Sequence, residues 1–280
     1  MSSLLNKTII ITGGSRGIGL AIAKKLASRG ANIAILSNEL DSSIEEIENR
    51  AFGLEIDVSD ENALKSAVLD VVKKFHGVDA LINNTSATHF GDTPHTSPEQ
   101  FDKLISTSTR AAFFLSQACL PYLEKASNPH IINISPPLNL APRWFKNHLA
   151  FSLSKYAMSL CTLGMAEEFR EKKIAVNSLW PETTIATQTI KAHFSDEVYT
   201  RSRWPTIMAD AAYTLLQKNS FECSGNFFTD EALLQKEGVT DFSSYAVQPN
   251  TSLMQALFVS EENRNSPISQ DQFLKKPLNK

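Results

Sequence analysis

The chain has 280 residues, of which 42% are hydrophobic and 20% charged, and its formal net charge is −3. This length and composition predict one globular domain with a large core. The small net charge gives no reason to expect DNA, RNA or an anionic membrane as a partner. No apolar run approaches the ~18 residues that would suggest a membrane span.

Cysteine content and the two termini add further expectations. The three cysteines, at 119, 161 and 223, are far apart and form no CxxC or Cys/His metal pattern. We therefore expect reduced thiols, a cytoplasmic location and no metal site. The N-terminus has no signal-peptide pattern. We expect a dinucleotide-binding domain over residues 1–262 and, because the sequence becomes polar there, a disordered tail over 263–280.

The first element in chain order is an apolar run over residues 8–11, which predicts a buried parallel strand. It leads into TGGSRGIG (12–19) and then into residues 20–27, which have helical spacing. Glycines let a backbone turn sharply and approach a ligand, and a helix N-terminus offers free N–H groups to an anion. The segment therefore predicts a phosphate-binding turn and a nucleotide-binding protein.

Strands and helices alternate along the rest of the chain. Further strands are predicted at 32–36, 54–57, 78–82, 130–134, 174–179 and 225–229. Helices are predicted at 61–75, 98–124 (with a bend), 147–171 and 209–217. This alternation predicts an α/β fold with a single doubly wound parallel sheet of the Rossmann type and helices on both faces.

Four features together resemble the short-chain dehydrogenase/reductase family. They are the G-x-x-x-G-x-G spacing at 13–19, Asn83-Asn84 after the fourth strand, Lys155 on a long helix, and Trp180-Pro181 after the sixth strand. The resemblance covers roughly residues 5–230, and the stretches 133–140, 144–146 and 164–169 narrow it to a hydroxysteroid-dehydrogenase-like branch. Some members of that branch carry a C-terminal sterol-carrier domain, which we expect this chain to lack.

The resemblance implies a nicotinamide dinucleotide. It implies that Gly13, Gly17 and Gly19 approach the pyrophosphate, that Asp57 and Val58 lie beside the adenine, that Asn83 lines the cofactor cleft and that Lys155 binds the nicotinamide ribose. The other cofactor contacts predicted are Ser15, Arg16, Ile18, Ser37, Asn38 and Pro181. A helix cap at Asp57 and a turn residue at Asn83 are the alternative interpretations.

The choice of cofactor depends on the residues after the second strand. A carboxylate there would bind the ribose 2′-hydroxyl and repel a 2′-phosphate. This chain has Ser37 and Asn38 instead, and Glu39 follows. Arg16, in the glycine loop, can bind a phosphate through two N–H groups. The sequence therefore favours NADP(H) over NAD(H), with a merely solvent-exposed Arg16 as the alternative.

The family transfers hydride between a nicotinamide and a carbonyl or alcohol, and its reaction needs a proton donor or acceptor beside the reacting oxygen. A Tyr fills that role, and a Lys four residues later on the same helix face lowers the pKa of its phenol. The corresponding residues here are Phe151 and Lys155. Phe has no ionisable proton, so we expect this protein to lack general acid–base catalysis at that position, which contributes about 10²–10⁴-fold to the reaction rate.

Two neighbours of Phe151 are possible replacements. Tyr156 would point about 140° away from it on an ideal helix. His148 would share its helix face if the helix has already begun, and a histidine titrates in a useful range. A helix-start or pocket-wall residue is the alternative interpretation of His148.

Two further catalytic candidates depart from the family pattern. Ser108 falls where the family has an Asn that anchors a relay water, and Ser135 is the candidate for the catalytic Ser. A strict alignment on the fifth strand puts Pro136 in the serine position instead. A strand-end turn is therefore the alternative interpretation of Ser135.

The apolar residues between Ser135 and Phe151 bear on the kind of substrate that the protein could bind. Leu138, Leu140, Trp144 and Phe145, with Trp180 and Pro181, can wall an apolar pocket, or instead close the core or a subunit interface. The family resemblance implies an apolar small molecule, lipid-like or acyl, as the substrate. Three functions stay open: an NADP(H)-dependent oxidoreductase with impaired proton transfer, a non-catalytic dinucleotide-binding sensor or scaffold, and a structural subunit. We also expect a homo-oligomer.

Overall fold

The computed structural model describes residues 4–259. Its seven strands are β1 Thr8–Thr12, β2 Asn32–Ser37, β3 Ala51–Glu55, β4 Ala80–Asn83, β5 His130–Asn133, β6 Ala175–Trp180 and β7 Phe227–Thr229. They form one sheet in the order β3-β2-β1-β4-β5-β6-β7, and each neighbouring pair is parallel. The order reverses between β1 and β4, so the crevice in which such sheets bind ligands lies at the carboxyl ends of these two strands.

Within the same residues, nine α-helices are α1 Gly17–Ser28, α2 Glu61–Phe75, α3 Pro98–Ile105, α4 Ala111–Leu123, α5 Leu149–Glu168, α6 Gln188–His193, α7 Asp196–Thr200, α8 Thr206–Leu216 and α9 Asp230–Lys236. A π-helical turn, Ser106–Arg110, joins α3 to α4 within the helical region predicted over 98–124. Across residues 4–259, no helix combines the length and apolar character needed to span a membrane.

The sheet is buried on both faces, which confirms the predicted doubly wound fold. Ile9 and Ile11 of β1 pack into one hydrophobic cluster, and Ile10 between them packs into another on the opposite face. This follows from the alternation of side chains along a strand. Because both faces are covered, the strands are continuous apolar runs.

Local signals explain why most helix starts were predictable. α3 begins after Ser97, whose hydroxyl accepts from the N–H of Gln100 while the Gln100 side chain accepts from the N–H of Ser97. α2 begins after Asp60, which accepts from two backbone N–H groups. The cap of α2 is therefore Asp60, and not Asp57.

The prediction missed three short helices and misplaced one strand. α6, α7 and α9 have only six, five and seven residues, too few to show a periodic apolar stripe. β3 spans 51–55 rather than 54–57, because as an edge strand paired only with β2 it lacks the apolar run of a central strand. The predicted tail, 263–280, lies outside the described residues.

Candidate active site

The loop between β1 and α1 folds so tightly that it excludes side chains. Gly13 and Gly17 have φ angles of +62° and +57°, which favour glycine. A Cβ at Gly19 would lie 2.2 Å from the carbonyl oxygen of Gly13 and 2.7 Å from Nδ2 of Asn84. The first N–H groups of α1 follow this loop, and the side chain of Arg16 does not cap them. The loop is thus a backbone cradle suited to an anion such as pyrophosphate.

Two residues at the ends of β1 and β4 hold the cradle in place. Nδ2 of Asn84 donates to the carbonyl oxygens of Thr12 and Gly13 at 2.9 and 3.2 Å. Oγ1 of Thr12 accepts from the N–H groups of Asn84 and Thr85 at 2.9 and 3.0 Å. The sequence analysis missed this contribution of Asn84.

Asn83, the predicted cleft residue, lies in a different polar cluster. Its side chain is only 2% exposed, and Nδ2 donates to Oδ1 of Asn133 at 2.8 Å and to Oγ of Ser116 at 3.4 Å. Consecutive strand residues point to opposite faces, so only one of the two asparagines can contact the glycine loop. In the structure Asn84 contacts the glycine loop, and Asn83 is buried against Ser116 of α4.

The end of β2 carries hydroxyl groups and no carboxylate. Oγ of Ser37 lies 3.1 Å from Oγ of Ser15 in the glycine loop, so these two predicted residues are brought together. Arg16 and Asn38 are exposed beside them. Ile18 is half-buried and packs against the core.

Three other predicted cofactor residues follow the ends of β3 and β6. Asp57 is exposed and its Oδ1 accepts from the backbone N–H and the hydroxyl of Ser59, both at 2.8 Å, whereas Val58 is fully buried. Pro181 is buried directly after β6. Thr187, which the sequence analysis missed, approaches the loop from α6: its Cγ2 lies 3.4 Å from where a Cβ of Gly17 would be.

Lys155 is a buried cation on α5. Its side chain is 4% exposed, Nζ donates to the carbonyl oxygen of Ile134 at 3.1 Å, and Nζ lies 5.6 Å from the centre of the Trp180 ring. Burial with no compensating carboxylate within residues 4–259 lowers the pKa of this ammonium to about 7. An ammonium has three N–H donors, so further hydrogen bonds to a ligand hydroxyl remain possible.

Aromatic rings surround Phe151. Its ring centre lies 4.9 Å from that of Phe90 and 6.3 Å from that of Phe258, and Phe151 is 7% exposed. Phe258 is fully buried and has a φ of +71°. The set of rings in contact here, which we call the aromatic cluster, comprises Phe90, Trp144, His148, Phe151, Tyr156, Trp180 and Phe258.

Tyr156 and His148, the two possible replacements for a phenol at Phe151, each donate a hydrogen bond to a backbone carbonyl. The hydroxyl of Tyr156 donates to the carbonyl oxygen of Asn139, and burial raises its pKa to about 12. His148 precedes the first residue of α5 and is 4% exposed. Burial lowers its pKa to about 4, although a hydrogen bond to the carbonyl of Trp144 opposes the shift.

Neither predicted serine bonds to Phe151 or Lys155 in the part of the chain that the structure describes. Oγ of Ser135 lies 3.1 Å from Oγ of Ser178, between β5 and β6, and Ser135 is fully buried. Oγ of Ser108 lies in the π-helical turn, 3.1 Å from Oγ of Ser86. The structure thus does not bring the two serines into hydrogen-bond contact with Lys155, and the roles assigned to all three residues stay predictions.

The predicted pocket wall is only partly assembled. Leu138 and Leu140 are 39% and 73% exposed, so they do not line a closed pocket. Phe145 packs on Tyr156 with ring centres 5.1 Å apart. The ring centres of Trp144 and Trp180 lie 5.9 and 6.0 Å from that of Phe258.

Comparisons with known proteins show which family this chain resembles. Residues 7–198 match the short chain dehydrogenase family. Hydroxysteroid dehydrogenase-like protein 2 from Xenopus laevis is 43% identical over 267 residues, which are 91% of this chain and 64% of that protein. The chain thus spans less than two thirds of the length of such curated relatives.

Two solved structures show the same fold. A short chain dehydrogenase from Mycobacterium thermoresistibile is 39% identical, with a TM-score of 0.86 over 92% of this chain and 96% of that one. A metagenomic short-chain oxidoreductase in complex with NADP is 26% identical, with a TM-score of 0.68 over 81% of this chain and 98% of that one.

Proposed function

The chain belongs to the short-chain dehydrogenase family, and from this premise we propose that it is an NADP(H)-binding oxidoreductase whose proton transfer is impaired. Its substrate carries a carbonyl or hydroxyl group on an apolar, lipid-like body, in keeping with the hydroxysteroid dehydrogenase-like relatives. The observation that carries the proposal is a contrast: the glycine cradle and the buried Lys155 are in place, while the neighbouring Phe151 presents only a hydrocarbon ring.

The residues of the crevice fit a dinucleotide. A Cβ would fill the cradle at Gly19, and the buried hydroxyls of Thr85 and Thr183 have no hydrogen-bond partner within residues 4–259. The cradle would hold the pyrophosphate, and Lys155 would donate to the nicotinamide ribose. When bound, the nicotinamide supplies hydride exchange. This chain's own residues must then orient the substrate and move its proton.

We further propose a preference for NADP(H). Ser37 and Asn38 offer no carboxylate to repel a 2′-phosphate, and the exposed Arg16 is available to bind it. A charge-assisted hydrogen bond of this kind is worth about 1.5–3 kcal/mol, so Arg16→Ala should lower NADPH affinity at least about 10-fold and leave NADH affinity unchanged. Arg29→Ala, at the other end of α1, is the control. Equal losses for both nucleotides would contradict the preference.

Impaired proton transfer is tested by restoring the phenol. NADPH and NADH affinities are measured by fluorescence, and NADPH oxidation is screened against aldehydes, ketones and acyl substrates. Phe151→Tyr should raise turnover by about 10²-fold or more, since general acid–base catalysis contributes about 10²–10⁴-fold. Phe145→Tyr adds a phenol to a neighbouring ring and serves as the matched control. Ordinary turnover by the unmodified protein would refute the impairment.

One observation favours a second function, a non-catalytic dinucleotide sensor. Phe90 and Phe258 pack directly on Phe151, so apolar side chains occupy the surroundings of the missing phenol. For a sensor, NADPH should bind below millimolar concentration while neither the unmodified protein nor Phe151→Tyr turns over any substrate. Failure of both nucleotides to bind below millimolar concentration would exclude both functions.

A further inference from the structure

His148 brings an unused polar atom into the aromatic cluster. The residue is 4% exposed, and its Nε2 has no hydrogen-bond partner within residues 4–259. A buried polar atom without a partner is unfavourable in apolar surroundings unless something satisfies it. Nε1 of Trp144, in the same cluster, is likewise without a partner among these residues.

The chemistry of Nε2 follows from the other ring nitrogen. The carbonyl oxygen of Trp144 only accepts hydrogen bonds, so the imidazole must donate to it. Since Nε2 has no partner, the donor is the N–H at Nδ1. Burial keeps the ring neutral at physiological pH, with a pKa of about 4. Nε2 of a neutral ring protonated at Nδ1 carries a lone pair, so it is a hydrogen-bond acceptor.

His148 lies close to the rings that also surround Phe151. Its ring centre lies 6.2 Å from that of Phe90 and 6.1 Å from that of Phe258. The same two rings pack on Phe151, where the family has its phenol. His148 and Phe151 therefore border one apolar region.

We propose that His148 binds the ligand of this protein and that this ligand is an apolar molecule with a hydroxyl group, whose O–H donates to Nε2. A carbonyl oxygen would place lone pair against lone pair at Nε2, so this nitrogen favours alcohols over aldehydes and ketones, whereas the N–H of Trp144 is a donor that either kind of oxygen can accept. The inference rests on the proposed function, which leaves that choice open. The rings of the cluster would contact the apolar body of the ligand.

The test uses the full chain labelled with ¹⁵N at histidine and three probes that share one ring. Benzyl alcohol has an O–H donor, whereas benzyl methyl ether and benzaldehyde have none. We expect Nε2 of His148 to be unprotonated at pH 7 and its resonance to move with benzyl alcohol. We expect benzyl alcohol to bind at least about 10-fold more tightly than the other two, because only its O–H can donate to the buried Nε2, which the other two probes leave without a partner.

Two variants separate the acceptor from a merely structural role. His148→Asn retains a donor for the carbonyl of Trp144 and a good helix-capping residue, but lacks an acceptor at the Nε2 position. It should melt near the unmodified protein and bind the three probes equally. His130, on β5 and outside the aromatic cluster, is the matched control. It is also buried and neutral, and its ring bonds to the carbonyl of Lys218. His130→Gln should keep the preference for the alcohol.

Four outcomes would overturn the inference: a protonated Nε2, equal binding of alcohol and ether, no binding of benzyl alcohol, or a preference that persists in His148→Asn. NADPH titration of the same samples separates this inference from the proposed function. Nucleotide binding without an alcohol preference refutes the role of His148 alone. An alcohol preference without nucleotide binding refutes the oxidoreductase proposal and leaves His148 as a binding residue.

Discussion

Replacing Gly19 by alanine should disable the anion cradle while leaving the rest of the sheet in place. The added Cβ would stand 2.2 Å from the carbonyl oxygen of Gly13 and 2.9 Å from its carbonyl carbon, both rigid backbone atoms. Ordinary contact begins near 3.4 Å, so the loop must move by about 1 Å. Overpacking of this kind costs about 1–3 kcal/mol. If the strain falls on the binding conformation, NADPH affinity drops by about 10–100-fold.

The assay is a fluorescence titration of NADPH, paired with urea unfolding to follow stability. Gly164→Ala is the matched control, because a Cβ there meets nothing within 4 Å and the residue lies exposed within α5. Alanine in a helix interior is favoured over glycine by about 0.5–1 kcal/mol, so this variant should be slightly more stable and bind NADPH normally. Binding by Gly19→Ala within twofold of the unmodified protein would refute the close-approach argument.

Three further predictions concern buried ionisable groups. Burial lowers the pKa of Lys155 from 10.5 to about 7, so the folded state binds fewer protons than the unfolded chain between these values and its stability rises with pH there. In urea titrations Lys155→Met should be more stable than the unmodified protein at pH 6, by an amount on the order of a few kcal/mol that shrinks toward pH 10. Burial raises the pKa of Asp230 from 3.8 to about 7, so its contribution to stability falls as pH rises between these values. Asp230→Asn keeps an oxygen for the N–H groups of Glu182 and Glu231, and its stability relative to the unmodified protein should grow from pH 4 to pH 8, by an amount on the order of a few kcal/mol; a flat difference would contradict the shift. Tyr156→Phe should lose about 1 kcal/mol of stability with no change in turnover, and a tenfold loss of turnover would show that its phenol takes part in the reaction.

The phosphate-binding turn and the parallel sheet were predictable because their determinants are local. A glycine loop between an apolar run and a helical stripe is visible within residues 8–27, and the alternation of such units implies a parallel sheet. β3 was shifted and three short helices were missed where this local signal is weak. The contacts of Asn83 with Asn133 and of Asn84 with the glycine loop were not predictable, because which face each residue takes depends on the register of β4 in the sheet.

The sequence by itself determined which chemical groups stand at the positions that we assign as catalytic: Lys155 carries an amine, and Phe151 has no ionisable proton. Only the tertiary structure decided what surrounds them. Phe90 lies between β4 and α3 and Phe258 lies beyond α9, both in segments without a motif, and only the fold makes them converge on Phe151. The burial that lowers the pKa of Lys155 and the hydrogen bonding that leaves Nε2 of His148 as an unpaired acceptor are properties of the whole fold and not of any single segment.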